Sequence, residues 1–301
     1  MKNRRILPYL LIAFVWTWTG WISGYLLGRA RGFDMGADGT LFTLFSQDMP
    51  SDRFLPQLLL ALAVYGPLIG FLAMGGLKGI KSFRPTASGS GPFWLLAVLV
   101  PVGIVLPTSI LSLAMGLFDT DGRTGGAILA AIGLYFLSNF VTSGTEEFGW
   151  RGFLYPAMKA GGASFWDIAW KGGLIWAVWH FPLMVRMYLP MGIAVLIPSL
   201  VGFCASIVAM NYIANLVYER TGSLVAAMLL HALNNTASFA VTLLFPGTPV
   251  TILIHLSIWV VVWILDKRGA VKLPISAPAG SAPSDTAVPS DTTANGGSRE
   301  A

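Results

Sequence analysis

Eight apolar runs, each close to 20 residues long, constrain this chain more than any other feature. They lie near 6–28, 57–77, 93–117, 126–145, 168–189, 192–218, 223–245 and 248–265. A helix needs about 20 apolar residues to cross the hydrocarbon core of a bilayer. Buried helices of soluble proteins are also apolar, but they are shorter and rarely recur so often. The expected fold class is therefore all-α, a polytopic membrane bundle of about eight transmembrane helices. Composition agrees. Charged residues make up 11% of the 301 and apolar residues 55%, where a soluble domain carries about 25% charged. Mean hydropathy is +0.69. These values exclude a disordered chain. Cys204 is the single cysteine, so no intrachain disulfide and no multi-cysteine zinc site can form. The sequence has no GxGxxG, no Walker loop and no nucleic-acid module, and no nucleic-acid partner is expected. The net charge of +5 reads as base on cytoplasmic loops rather than as a polyanion-binding surface.

The first run follows Met1-Lys2-Asn3-Arg4-Arg5. It is longer than a signal-peptide core of about 7–15 residues and no clear cleavage site follows, so it reads as a retained first span. Placing the N-terminus inside puts Lys2, Arg4, Arg5, Lys78, Lys81, Arg84, Arg151, Lys159, Lys171, Arg220, Lys267, Arg268, Lys272 and Arg299 on inner segments. Arg29, Arg31, Arg53, Arg123 and Arg186 are left outside. That bias predicts a multi-pass cell-membrane protein with both termini cytoplasmic. Reporter fusions after Arg84, Gly122 and Gly269 are expected to read in, out and in; an outward reading at Gly269 would contradict eight spans. The predicted organisation is a three-span segment over 1–125, a core over 126–245, a last span with a basic end over 246–273, and a tail over 274–301. The tail is Ala, Pro, Ser, Thr and Gly with almost no large apolar residue, a composition that cannot bury a core.

A charge at mid-membrane costs about 3 kcal/mol or more, so each polar group in a span needs a reason. Three clusters stand out. Glu146-Glu147-Phe148-Gly149-Trp150-Arg151 closes the fourth run. Glu147 and Arg151 are i,i+4 and can pair, while Glu146 is rotated about 100° away. The pattern leaves Glu146 to point into the bundle, as a general base would. Trp176-Ala177-Val178-Trp179-His180 places an aromatic one turn before a histidine, and His231-Ala232-Leu233-Asn234-Asn235 places His231 and Asn235 on one helix face. Singly, these read as a helix-end charge cluster, a buried histidine and a helix-joining polar pair. On three spans of a chain otherwise nearly free of such groups, they can meet in one cavity. A carboxylate, two imidazoles and an amide are the parts needed to activate water and stabilise an oxyanion. His255 matches no cluster and reads as structural. Asn211 and Asn215 share a face of the sixth span and read as packing residues that could line the cavity.

The order Glu-Glu-x-x-x-Arg, aromatic-x-x-x-His, His-x-x-x-Asn resembles the CPBP group of intramembrane proteases, which contains the type II CAAX prenyl endopeptidases and the Abi proteins of bacteriocin self-immunity. The likeness covers roughly 126–245. Trp176 departs from it, since the family more often has Phe there. The resemblance implies that Glu146 and His180 activate water, that His231 and Asn235 stabilise the oxyanion, and that Glu147 and Arg151 hold the first motif in shape. It also implies a membrane-embedded or lipidated peptide or protein substrate within the lipid bilayer. The family is commonly described as metal-dependent, and Glu146, His180 and His231 would make a zinc set. A metal-free mechanism with Glu146 as base is equally compatible, and the absence of His-Glu-x-x-His tilts the reading towards no tightly held metal. A non-proteolytic immunity or binding module of the same fold is the alternative. A transporter is disfavoured, because no internal repeat or paired broken helix is visible in the sequence.

Overall fold

The computed structural model describes residues 5–33, 44, 49–76 and 90–272. The tail over 274–301 lies outside the described residues, as do Asp34, Asp38 and Asp48 of the segment 29–56, which the predicted topology puts outside as a solvated loop. Among those described there is no strand. The helices are α1 Ile6–Ala30, α2 Ser51–Ala63, α3 Gly66–Ala73, α4 Gly91–Ala114, α5 Gly125–Val141, α6 Glu146–Gly149, α7 Tyr155–Ala160, α8 Phe165–Trp179, α9 Phe181–Tyr188, α10 Ile193–Thr221, α11 Leu224–Leu244 and α12 Ile252–Lys267. Five helical stretches are long and apolar enough to cross a membrane: α1, α4, the stretch from α5 through α7, α10 and α11. The pair α2–α3, bent by 55°, makes a sixth if counted as one span. The other two runs give α8 with α9, and α12, which fall short of that length. The bundle is inverted relative to a soluble protein. Leu129 is 72% exposed and Val201 65%, whereas Glu147 and Arg151 have no exposed surface. Only a lipid surround reconciles those two facts.

Three runs expected as single helices are broken, each for a local reason. Pro67 in the first turn of α3 and Pro182 in the first turn of α9 lack the N–H that would continue the helix before them. Polar groups of α1 bond the carbonyls beside both breaks. Thr17 Oγ1 donates to the Ala63 carbonyl at 2.7 Å and Trp16 Nε1 to that of Leu62 at 2.9 Å. Trp18 Nε1 donates to Trp179 O at 3.0 Å. In a bilayer no water is present to do this, so α1 acts as the polar brace for both breaks. The third irregularity links α5 to α7. A 3-10 turn over Ser143–Thr145 and a π-helical turn over Trp150–Leu154 flank α6, and single π turns recur at functional sites. The glutamate cluster, expected at the end of the fourth span, thus sits inside a long helical stretch.

Close packing brings the remaining elements to this stretch. α10 packs against α8, α11 and α12; α11 packs on α4 and α5, and α3 on α6. Two glycines permit the closest approaches. A Cβ at Gly173 would stand 2.7 Å from the Val208 Cα, where α8 meets α10. A Cβ at Gly149 would stand 2.6 Å from the Pro67 carbonyl oxygen, where α6 meets α3. Gly149→Ala is accordingly expected to lower stability by about 1–3 kcal/mol through overpacking. Thermal melting in detergent checks this, and an unchanged midpoint would contradict it.

Candidate active site

Glu146 begins α6 and is 1% exposed. Its Oε2 accepts the indole N–H of Trp150 at 3.1 Å and that of Trp176 at 3.0 Å. Trp150 lies one turn after Glu146, and Trp176 arrives from α8, so one carboxylate oxygen is gripped from two helices. Glu147 faces elsewhere, as its rotation requires. It pairs with Arg151 Nη1 at 2.9 Å, the i,i+4 contact read from the spacing. Arg151 Nη2 donates to Asn211 Oδ1 at 2.8 Å, and the guanidinium lies 4.7 Å over the Trp176 ring. Asn211 Nδ2 in turn donates to the carbonyls of Ile168 and Ala169 at 3.0 and 3.1 Å. Asn211 is therefore tied into this network, and Asn215 is fully buried.

The second acceptor oxygen of Glu147 draws in α11. His231 Nδ1 lies 2.8 Å from Glu147 Oε1. A carboxylate paired with Arg151 can only accept, so Nδ1 carries the hydrogen. The same logic fixes His180. It stands at the break between α8 and α9, with Nδ1 2.9 Å from Trp176 O. A carbonyl cannot donate, so Nδ1 carries the hydrogen and Nε2 of the neutral ring is an acceptor. Rings of Trp179, Phe203, Trp176 and Trp21 surround that imidazole at 4.6, 5.3, 6.2 and 6.1 Å between centroids. Asn235 does not share a partner with His231. Its Nδ2 donates to Asn139 Oδ1 at 3.0 Å, and Ser143 Oγ donates to the same oxygen at 3.3 Å.

A cavity of about 220 Å³ joins these groups. Trp176, His180, His231, Asn234 and Asn235 line one side of it. Glu146 is not on the wall; it sits behind Trp176. His255, read as structural, lines the same cavity beside Ser206, so all three histidines of the chain meet there. Sequence reasoning also missed Asn139, Trp150 and Ser206. Asn139 precedes Glu146 by two helical turns and Trp150 follows it by four residues, and both spacings were signals that could have found them. Residues 128–237 match the family model Rce1-like, described as type II CAAX prenyl endopeptidase Rce1-like. The resemblance to the CPBP proteases stands. No curated protein matches the chain. The match spans 110 of the 301 residues (128 to 237), and at family level it supports a likeness to CAAX-type membrane proteases. The Rce1-like stretch runs from α5 into α11 and contains every residue of the three motifs. The first helices lie outside it, yet Tyr9 of α1 meets Trp150 edge-on at 6.2 Å.

Among the described residues no group of three or more His, Cys, Asp or Glu is arranged to hold a metal ion. Glu146 is held by two indoles, and His180 and His231 point their Nδ1 hydrogens at different acceptors. With their Nδ1 hydrogens so held, both imidazoles keep Nε2 as the atom that could ligate a metal.

Proposed function

We propose that the protein is an intramembrane endopeptidase in which Glu146 acts as general base on a water molecule. The observation that carries this reading is a buried carboxylate 3.0 Å from the indole of a cavity-lining tryptophan, with two imidazoles and an amide on the same wall. Water reaches Glu146 by taking the place of the Trp176 N–H on Oε2. The lone pair of His180 Nε2 orients it. The attack on the peptide carbonyl transfers the water proton to Glu146, which returns it to the leaving amine. His231 takes part as the imidazolium paired with Glu147, its Nδ1 hydrogen on that carboxylate and its Nε2 hydrogen on the oxyanion, and Asn235 donates through its amide. Together they stabilise the oxyanion. Glu146 and Glu147 then face Arg151 and His231, two acids against two bases, so the buried cluster carries no net charge. Arg151 and Asn211 position Glu147 and touch no substrate.

The substrate is a membrane-embedded or lipidated peptide; a prenylated C-terminus follows from the family alone. Chelation separates the two mechanisms. Purified wild type treated with a strong chelator is expected to keep its rate, with no gain on resupplied zinc. Loss of activity on chelation, together with lowered bound zinc in His180→Ala and His231→Ala by elemental analysis, would replace this mechanism by a metal-based one.

A further inference from the structure

The cavity has two unlike walls. The wall built by α4, α10 and α12 is apolar, with Ile104, Ile207, Ile254 and Ile258 among its members, except at one spot. There His255 Nδ1 of α12 lies 2.6 Å from Ser206 Oγ of α10. Ser206 Oγ also lies 2.9 Å from Gly202 O, which its hydroxyl can reach as donor. The pair lines the same cavity as His180, His231 and Asn235.

We infer that Ser206 and His255 form a substrate-binding subsite that hydrogen-bonds the main chain of an extended peptide lying in the cavity. This rests on the peptidase reading above. An extended segment inside a bilayer has no water and no helix to satisfy its N–H and C=O groups, and each such group left bare costs several kcal/mol. The catalytic wall serves the scissile carbonyl. A neighbouring peptide group must be served by another part of the cavity, and Ser206–His255 is the polar spot on the α10 and α12 wall. The pair can meet either need. With the Ser206 hydrogen on Gly202 O, His255 Nδ1–H bonds Ser206 Oγ and Nε2 is an acceptor for a peptide N–H. With that hydrogen turned to His255, Nε2–H is a donor for a peptide carbonyl. Rotation of the Ser206 hydroxyl, with transfer of the ring hydrogen from Nδ1 to Nε2, switches between them. A mere brace between α10 and α12 would need the same bond but no place on the cavity wall.

The test uses the full-length protein carrying Glu146→Gln, which binds without cleaving, and a fluorescent peptide chosen because wild type cuts it. Dissociation constants are measured for the peptide and for a series with single amides replaced by esters. One ester near the scissile bond is expected to bind about tenfold more weakly, the effect of one well-made hydrogen bond. Adding His255→Ala is expected to weaken the parent peptide about tenfold and to erase the preference for amide over ester. His255→Gln regains part of both, because its amide can donate or accept. Ser206→Ala, which keeps the ring and its packing, weakens binding by a smaller factor. In the active background, His255→Ala raises KM with kcat within about twofold of wild type. Unchanged affinity, or an ester preference that survives His255→Ala, would reduce the pair to an interhelical brace and overturn the inference. A kcat loss as deep as that of His180→Ala would overturn it too, by making His255 catalytic. Wild type that cleaves nothing would overturn the peptidase reading and this subsite with it, whereas wild type that cleaves while His255→Ala binds normally refutes the subsite alone.

Discussion

Glu146→Gln is expected to leave the protein folded in the membrane and to lower kcat by about 10²–10⁴. The side chain stays the same size. Its amide oxygen can still accept the indole hydrogens of Trp150 and Trp176, now 3.1 and 3.0 Å from Oε2, so the packing of α6 against α8 survives. The amide nitrogen cannot take a proton from water. Melting temperature within a degree or two of wild type, with cleavage nearly gone, is the expected pair of results. Full activity would remove Glu146 as base and leave the binding or immunity module as the better reading.

Arg151→Lys is expected to be the next most damaging change, though it keeps the charge. The guanidinium bonds Glu147 with Nη1 and Asn211 with Nη2, and its Cζ lies 4.7 Å over the Trp176 ring. An ammonium cannot reproduce that planar fork. The partners are fully buried, and breaking a buried pair costs about 3–5 kcal/mol when one charge is left unmatched. Turnover at least tenfold lower and a clearly lower melting temperature are expected. The double variant Arg151→Met with Glu147→Gln is expected to recover part of the stability, because no bare charge remains, but not the activity, because His231 loses its anionic acceptor. Near-normal turnover in Arg151→Lys would show the pair to be incidental.

Much of this architecture could be read from the sequence, and the parts that could not share a cause. A run of 20 apolar residues marks a helix by itself, so each of the eight runs appears as a helix or a broken pair. The i,i+4 spacing of Glu147 and Arg151 likewise needs no tertiary knowledge. The breaks at His180 and before Gly66 were signalled by Pro182 and Pro67 but were overridden by the apolar run around them. The donors that hold Glu146 and the acceptor that holds His231 depend on how α6, α8 and α11 cross. Two of these helices are seated by close contacts with others, Gly149 of α6 on Pro67 of α3 and Gly173 of α8 on Val208 of α10, between residues tens of positions apart. His231 and Asn235 share a helix face and the cavity, yet bond to Glu147 and Asn139, because α5 and α6 approach α11 at different levels. His255 had no neighbour in sequence to announce it; its partner Ser206 is 49 residues away.

The most direct measurement is a peptide-library digest by the purified full-length protein in proteoliposomes, with new termini read by mass spectrometry and with Glu146→Gln run in parallel. The account predicts defined new termini from wild type, with and without chelator, and none from Glu146→Gln. The same termini from both proteins, or none from wild type, would contradict it.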